Sequence, residues 1–163
     1  MHAVVILKEG HEAIMDAIDG LPEEVWYTPD VCGHWSVKDI IAHLTAYERA
    51  LVEAFRAARG EPMGGFLTAQ IRDEQEFNEI RVAMRVGYTP AQVLAEYEEA
   101  HAEAMALAAA LPPSLYINTG FMPAYGMQYD LEDFAAHTMG HKWEHAAQIA
   151  LFRERLDKGD AFS

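Results

Sequence analysis

The sequence predicts an all-α protein folded as an antiparallel helical bundle, on three observations. Apolar residues recur at three- and four-residue spacing in five stretches, which is the period of a helix with one buried face. No stretch shows the apolar–polar alternation of a half-buried strand. The chain has 163 residues, about the length of one domain with one core, so we expect a single domain over residues 1–163.

The first two predicted helices have apolar faces and recognisable ends. An apolar stripe predicts a helix over about residues 3–19, which the sequence GLPEE brings to an end. Ser36 is a good N-cap for the second helix, and Asp39 can face the positive end of that helix. We expect the second helix to end near Arg59.

The next two helices differ in the strength of their boundary signals. A single third helix is predicted over residues 68–86. Its inward-facing side chains are expected to be Phe77, Ile80 and Met84. The fourth helix begins with a capping box of Thr89 and Gln92, with proline at its first position. Two prolines stop it after Leu111.

A segment of 19 residues without periodicity, residues 112–130, precedes the last helix. We expect a long loop or a short extra helix here, followed by a helix over about residues 131–157 that Asp130 caps. Loops this long are uncommon in compact domains unless they have a function. The segment is either a packed surface loop or a wall over a pocket. Its aromatic residues are Tyr116, Phe121, Tyr125 and Tyr129.

The last helix places histidine at every fourth position, at His137, His141 and His145. At about 100° per residue, His141 and His145 fall within the apolar inner stripe, and His137 lies about 80° from His145 on its margin. Imidazoles four residues apart can bind one ion, whereas residues eight apart are separated by about 12 Å along the axis. The spacing therefore predicts that His141 and His145 form a metal-binding pair.

A third ligand is expected from a facing helix, and the spacing leaves His43 and His11 both open. Without a metal, the inward pair would need hydrogen-bond partners for four ring nitrogens in an apolar stripe. Three neutral imidazoles would leave a divalent ion its full charge and an open position, as in catalytic sites. Such an ion can lower the pKa of a bound water or a bound thiol. Zinc is expected by ligand type, and imidazole also suits nickel, iron and copper.

Charge and composition exclude several classes of function. The formal net charge is −14, from 12 basic and 26 acidic residues, and such a surface repels phosphate backbones and anionic lipids. We therefore expect no nucleic-acid partner. The apolar residues form no run long enough to cross a membrane, and the N-terminus lacks the features of a signal peptide. With one cysteine, Cys32, no internal disulfide can form, and we expect a cytoplasmic protein.

Two motifs carry a family resemblance. The segments WSVKDIIAHLTAYERAL and, much later, HTMGHKWEHAAQIALFRERL resemble the DinB-like superfamily. That superfamily includes DNA-damage-inducible DinB proteins, bacillithiol transferases, the mycothiol-dependent maleylpyruvate isomerase and the colibactin self-resistance type. The likeness covers nearly the whole chain. It implies a four-helix bundle holding a divalent ion, without implying DNA binding.

The resemblance also implies roles for particular residues. The family's histidine of the second helix matches His43, and its histidine pair matches His141 and His145, so these three are the implied metal ligands. The family's third helix often brings an Asp and an Asn to the pocket, and Asp73 and Asn78 are the matching residues. Candidate residues of the electrophile pocket are Tyr116, Phe121 and Tyr125.

The function implied is that of a divalent-metal protein, with zinc, nickel or iron, that transfers a small-molecule thiol to an electrophile. Two alternatives remain. The protein either binds a metal or a toxic small molecule without catalysis, as a stress or resistance protein, or hydrolyses a substrate with metal-activated water, as the self-resistance type would. Relatives commonly form homodimers, and Trp143, which points away from the inner stripe, is a candidate interface residue.

Overall fold

The computed structural model describes residues 2–159, so Met1 and residues 160–163 of the expected domain lie outside it. Within residues 2–159 there is no strand, and one isolated β-bridge joins Cys32 to Trp35. The helices are α1 (Ala3–Ile18), α2 (Val37–Ala58), α3 (Gly65–Arg72), α4 (Glu74–Ala83), α5 (Pro90–Ala110), α6 (Pro113–Tyr116) and α7 (Leu131–Asp157). Two short 3-10 segments, Glu23–Tyr27 and Pro123–Tyr125, lie between them. None of the helices described here has the length and apolarity needed to cross a bilayer.

Four long helices form the bundle, which confirms the predicted all-α fold. Helix α1 packs against α7 and α5, and α2 packs against α5 and α7. The four long helices include both parallel and antiparallel neighbours. Helices α1 and α7 run the same way, because Gly10 approaches Met139 and, further along both helices, Arg153 donates to the carbonyl of Ala17. Long connections such as the one holding α3 and α4 allow neighbouring helices to be parallel.

The core consists of two apolar clusters, one near each end of the bundle. The start of α7 and the end of α2 share one cluster, and the end of α7 and the start of α2 share the other, so these two helices are antiparallel. Between the clusters lies a layer of buried polar side chains. Its members are His43, Glu48, His101, Lys142 and His145, with His141 and His11 half-buried beside them. The candidate site belongs to this layer.

The predicted helix caps are confirmed. Ser36 and Asp39 form a reciprocal capping box at the start of α2. Thr89 and Gln92 do the same at α5. At α7, Asp130 caps the helix with Asp133 closing the box. The first turn of α7 is therefore fixed, and this sets the rotation of the histidines that follow.

The prediction of one helix over residues 68–86 was wrong, because the chain breaks at Asp73. This residue is extended, with φ −157° and ψ 96°, and its carboxylate accepts from the Glu76 amide as the N-cap of α4. Phe77 is buried as expected. The short α4 cannot keep the other two inward, so Ile80 and Met84 are 46% and 55% exposed.

Helix α3 is attached to α2 by a side chain. The Glu53 carboxylate accepts hydrogen bonds from the amides of Phe66 and Leu67, 3.1 and 2.7 Å away, in the first turn of α3. A Cβ at Gly64 would lie 2.2 Å from this carboxylate, so glycine at this position leaves room for the Glu53 side chain. This contact places Phe66 and the helix that follows it beside α2.

The segment between α5 and α7 packs onto the bundle. Tyr116 is buried, and its hydroxyl donates to the carbonyl of Ala108. Phe121 packs half-buried against the same apolar cluster. Tyr125 stacks on Tyr129, 5.2 Å between ring centroids, and meets Phe134 edge-on. The segment thus contains both a short helix and loop, as expected.

Candidate metal centre

Three histidines from two helices converge at one point. The Nε2 atoms of His43 on α2 and His141 on α7 are 3.0 Å apart, and those of His141 and His145 are 3.1 Å apart. One ring nitrogen from each of the three lies within 4.8 Å of the others. The antiparallel approach of α2 to α7 brings them together, since His141 and His145 share a face one turn apart.

The donor set fits a divalent ion. Nitrogens that share a tetrahedral ion at about 2.0–2.1 Å are about 3.3 Å apart, close to the separations of 3.0 and 3.1 Å observed here. Ring nitrogens at this distance repel through their lone pairs unless a proton or a cation lies between them. Three neutral imidazoles are ligands that suit zinc, nickel and iron. The three residues are therefore within ligand distance and chemically suited to the ion.

A neighbouring amide orients one of the rings. The Nδ1 atom of His145 is 2.8 Å from Oε1 of Gln148, one turn further along α7. An amide oxygen only accepts, so Nδ1 carries the proton and Nε2 keeps its lone pair for the centre. The ring of His43 is held differently. Its Nδ1 is buried without a hydrogen-bond partner among residues 2–159, and the ring is fixed by packing.

The surroundings keep all three imidazoles neutral. Burial lowers the pKa of His43 to about 2, and repulsion from His141 and His145 lowers it further. Burial, followed by the proximity of the titratable ring of His145, lowers the pKa of His141 to about 3. Burial also lowers the pKa of His145, while the Gln148 hydrogen bond acts in the opposite direction. Neutral imidazole is the form that binds metal.

Aromatic rings line the centre. The ring of Trp35 lies 4.8 Å from that of His43. The ring of Tyr47, one turn after His43 on α2, lies 4.7 Å from both His43 and His141. Phe77 meets Tyr47 edge-on at 5.6 Å. Tyr47, Trp35 and His141 are half-buried, so the residues on this side of the centre are partly exposed.

The other two candidate histidines lie elsewhere. His11 on α1 stacks on His101 at 3.8 Å, and its Nδ1 is 3.2 Å from the Tyr97 hydroxyl, in the second polar group of the layer. His137 is exposed on α7. Of the two histidines that the spacing left open as third ligand, the structure thus brings His43 to the pair.

Asn78 and Tyr125, two of the five expected pocket residues, lie near the centre, beside the hydroxyl of Tyr47. Burial raises the pKa of Tyr47, and the carboxylate of Glu74 raises it further. The side chains of Asn78 and Tyr125 act on the same hydroxyl, which places both beside Tyr47. Oδ1 of Asn78 is buried with no hydrogen-bond partner among the described residues, so it is available to a ligand.

The other three expected pocket residues, Asp73, Tyr116 and Phe121, make contacts that stabilise the fold. Asp73 is exposed and caps α4. Tyr116 uses its hydroxyl on Ala108, and Phe121 packs against the apolar cluster that contains Phe55. Their expected contact with a substrate stays a prediction.

Sequence reasoning did not single out Tyr47 and Glu74. The signal for Tyr47 was present, because a residue four positions after His43 lies on the same helix face. Glu74 carries no such signal, since its approach to Tyr47 depends on the break at Asp73 and the resulting direction of α4.

Cys32 lies near the site as well. Burial raises the pKa of its thiol, and the Gln148 side chain acts in the opposite direction.

Comparison with known proteins identifies the family. The sequence profile of the DinB superfamily matches residues 6–149, which include most of α1 and all three histidines of the centre. The chain therefore belongs to this superfamily. Searches of curated proteins and of solved structures each return no match to the chain.

Proposed function

We propose, on the premise that the chain belongs to the DinB superfamily, that it is a metal-dependent thiol S-transferase acting on a small electrophile. The observation that carries the proposal is the convergence of His43, His141 and His145 within ligand distance, on neutral rings. A set of three imidazoles provides too few ligands for a closed structural site and leaves room for a reactant.

The three histidines would hold zinc, nickel or iron through Nε2. A bound divalent ion lowers the pKa of a thiol that reaches it, and so supplies the nucleophile at neutral pH. His145 is kept in the ligating tautomer by Gln148. The thiol comes with the cosubstrate, so Cys32 is not required.

The electrophile would lie against the aromatic side of the centre. The Tyr47 hydroxyl carries its proton at neutral pH, as tyrosine ordinarily does, and could donate it to the substrate in place of Glu74, whose side chain hydrogen-bonds this hydroxyl. The free Oδ1 of Asn78 can accept one. In the transfer, the sulfur forms a bond to an electrophilic carbon and the leaving group departs with its bonding electrons. The thiol proton passes to solvent.

The test combines elemental analysis with turnover. Purified protein is loaded with zinc, nickel or ferrous iron and incubated with glutathione, cysteine, bacillithiol or mycothiol and a chromogenic electrophile. We expect multiple turnovers with at least one thiol, loss of turnover in His43→Ala, and retention in His137→Ala. Stoichiometric binding without turnover would favour a sequestering protein. Product formed without any thiol would favour metal-dependent hydrolysis.

We also propose that the protein forms a homodimer. Trp143 and Leu151, two turns apart on α7, are 49% and 55% exposed. An exposed apolar row on a helix is suited to a second copy of the same row. Light scattering should give a dimer for the wild type and a monomer for Trp143→Glu. A wild-type monomer would contradict this.

A further inference from the structure

Three arginines line one small cavity on the side of α2 that faces α4 and α5. The cavity has a volume of about 60 Å³. Its lining consists of Ala42, Thr45, Ala46, Arg49, Phe66, Arg81, Arg85 and Glu96. The space is larger than a single water needs, and it matches one small polyatomic group rather than a whole cofactor.

Arg81 has no carboxylate partner in the described part of the chain. Its guanidinium lies over the ring of Phe66, 4.3 Å from the centroid, and 5.4 Å from that of Phe77. Its Nε is buried and makes no hydrogen bond within residues 2–159. A buried N–H without an acceptor is costly, and more so on a charged group.

The other two arginines have acidic partners and spare donors. Arg49 binds Glu103 at 2.9 Å, and Arg85 binds Glu96 at 2.6 Å. A guanidinium has five N–H donors, and these pairs use few of them. Glu103 also binds Arg56 at 2.7 Å. Three arginines and one carboxylate, that of Glu96, therefore line the cavity, which leaves an excess of positive charge among its lining residues.

This excess is unusual for the chain as a whole, whose formal charge is −14. A surface so acidic would be expected to supply a carboxylate to a free arginine. Planar guanidinium groups bind oxyanions through paired N–H donors. The cavity therefore has the charge, the donors and the size for such a group.

We propose that this cavity binds a single oxyanion group, the phosphate or carboxylate of a small molecule, through Arg81 with help from Arg49 and Arg85. The proposal does not depend on the metal centre or on thiol transfer. Neither Tyr47 nor any histidine of the centre lines the cavity.

The test uses inorganic phosphate, sulfate and acetate with the full chain. Each is titrated by calorimetry against chloride at equal ionic strength, and phosphate is also followed by ³¹P line broadening. We expect saturable binding to the wild type and a loss of about tenfold or more in Arg81→Gln. Arg155→Gln, an exposed change on α7 with the same loss of charge, should bind as the wild type.

Both variants retain the three histidines, so oxyanion bound at a metal would be the same in each. Circular dichroism reports whether Arg81→Gln folds. If it does not, Ala46→Val narrows the cavity while leaving every arginine in place, and should also weaken binding. Tighter binding of phosphate than of acetate would identify a phosphate ligand, and the reverse a carboxylate. No binding by the wild type, or equal affinity in Arg81→Gln and Arg155→Gln, would overturn the proposal.

Discussion

Lys142 and Glu48 form an ion pair inside the bundle, one residue along α7 from His141. The two residues are 1% and 0% exposed. Burial alone would raise the pKa of Glu48, but Lys142 and His101 together outweigh it and lower the pKa to about 2. The Nδ1 of His101 lies 3.6 Å from the other carboxylate oxygen. The pair therefore joins α2, α5 and α7 at the level of the metal centre.

Breaking this pair should destabilise the protein strongly. Lys142→Met leaves a buried carboxylate without its cation, and we expect a loss of about 3–5 kcal/mol in the free energy of unfolding. Glu48→Gln should cost a similar amount for the same reason. The double variant removes both charges and should be more stable than either single variant. Urea denaturation measures all three. Losses that simply add in the double variant would contradict a direct pair.

His11 should make stability depend on pH. Burial and the positive charges of His101 and Lys142 lower its pKa from 6.5 to about 4, whereas Glu48 acts in the opposite direction. The Tyr97 hydroxyl also faces it, 3.2 Å from its Nδ1. Between these two values the unfolded chain binds a proton that the folded protein does not, so the free energy of unfolding falls as the pH is lowered.

We therefore expect His11→Gln to lose less stability than the wild type between pH 7 and pH 4.5. Glu48 remains ionised in the folded state over this range. Urea denaturation at several pH values gives the comparison. Parallel curves for the two proteins would contradict a lowered pKa at His11.

The sequence alone was enough to predict the long helices, because the signals for their ends and for their buried faces are local. The capping boxes at Ser36, Thr89 and Asp130 and the apolar stripes each lie within one segment. The break at Asp73 had a local signal as well, an Asp followed three residues later by Glu76, but the surrounding apolar spacing concealed it. The attachment of α3 to Glu53 joins residues far apart in the chain, and no local pattern contains it.

The metal site was predictable in part for the same reason. The spacing of His141 and His145 identifies a pair, whereas the choice between His43 and His11 depends on how α1 and α2 face α7. Lys142 lies about 60° from His145 on the helix, near the edge of the inner stripe. Its burial follows only from the position of Glu48, which the stripe of α7 cannot reveal.

Removing one ligand should remove the metal. His145→Ala takes away the ring whose Nε2 lies 3.1 Å from that of His141, and two imidazoles bind an ion weakly. We expect metal content to fall from about one equivalent to background. His137→Ala, one turn before His141 and exposed, should keep the wild-type content. Elemental analysis after dialysis is the measurement, and loss of metal in the control would point to a different pair.

Gln148 should strengthen metal binding without touching the ion. Gln148→Ala deprives Nδ1 of His145 of its acceptor, so the ring no longer prefers the ligating tautomer. We expect metal affinity to fall by about 10- to 100-fold, as for other partners of ligating histidines. Gln75→Ala, which removes an exposed amide on α4, should have no effect. Competition with a chromogenic chelator gives both affinities. Equal values would show that packing alone holds the His145 ring.

Two glycines should respond in opposite ways to alanine. At Gly10, a Cβ would lie 3.3 Å from Cα of Met139 and 3.3 Å from Cδ of Lys142, where α1 and α7 approach closely. The backbone atom cannot move alone, so the two helices would have to separate. Gly140, on the exposed side of α7, has no atom within 4 Å of the corresponding position.

Alanine improves helix propensity at both positions by about 1 kcal/mol, so the difference between them reports the helix contact. We expect Gly140→Ala to raise the free energy of unfolding by about 0.5–1 kcal/mol. Gly10→Ala should lower it by about 1 kcal/mol, because overpacking exceeds the gain. It should also weaken metal binding, since separating α1 from α7 shifts Lys142 and the neighbouring His141. Urea denaturation and chelator competition test this pair. Stabilisation by both substitutions would mean that α1 can move away from α7 at little cost, and that the histidines do not depend on that contact.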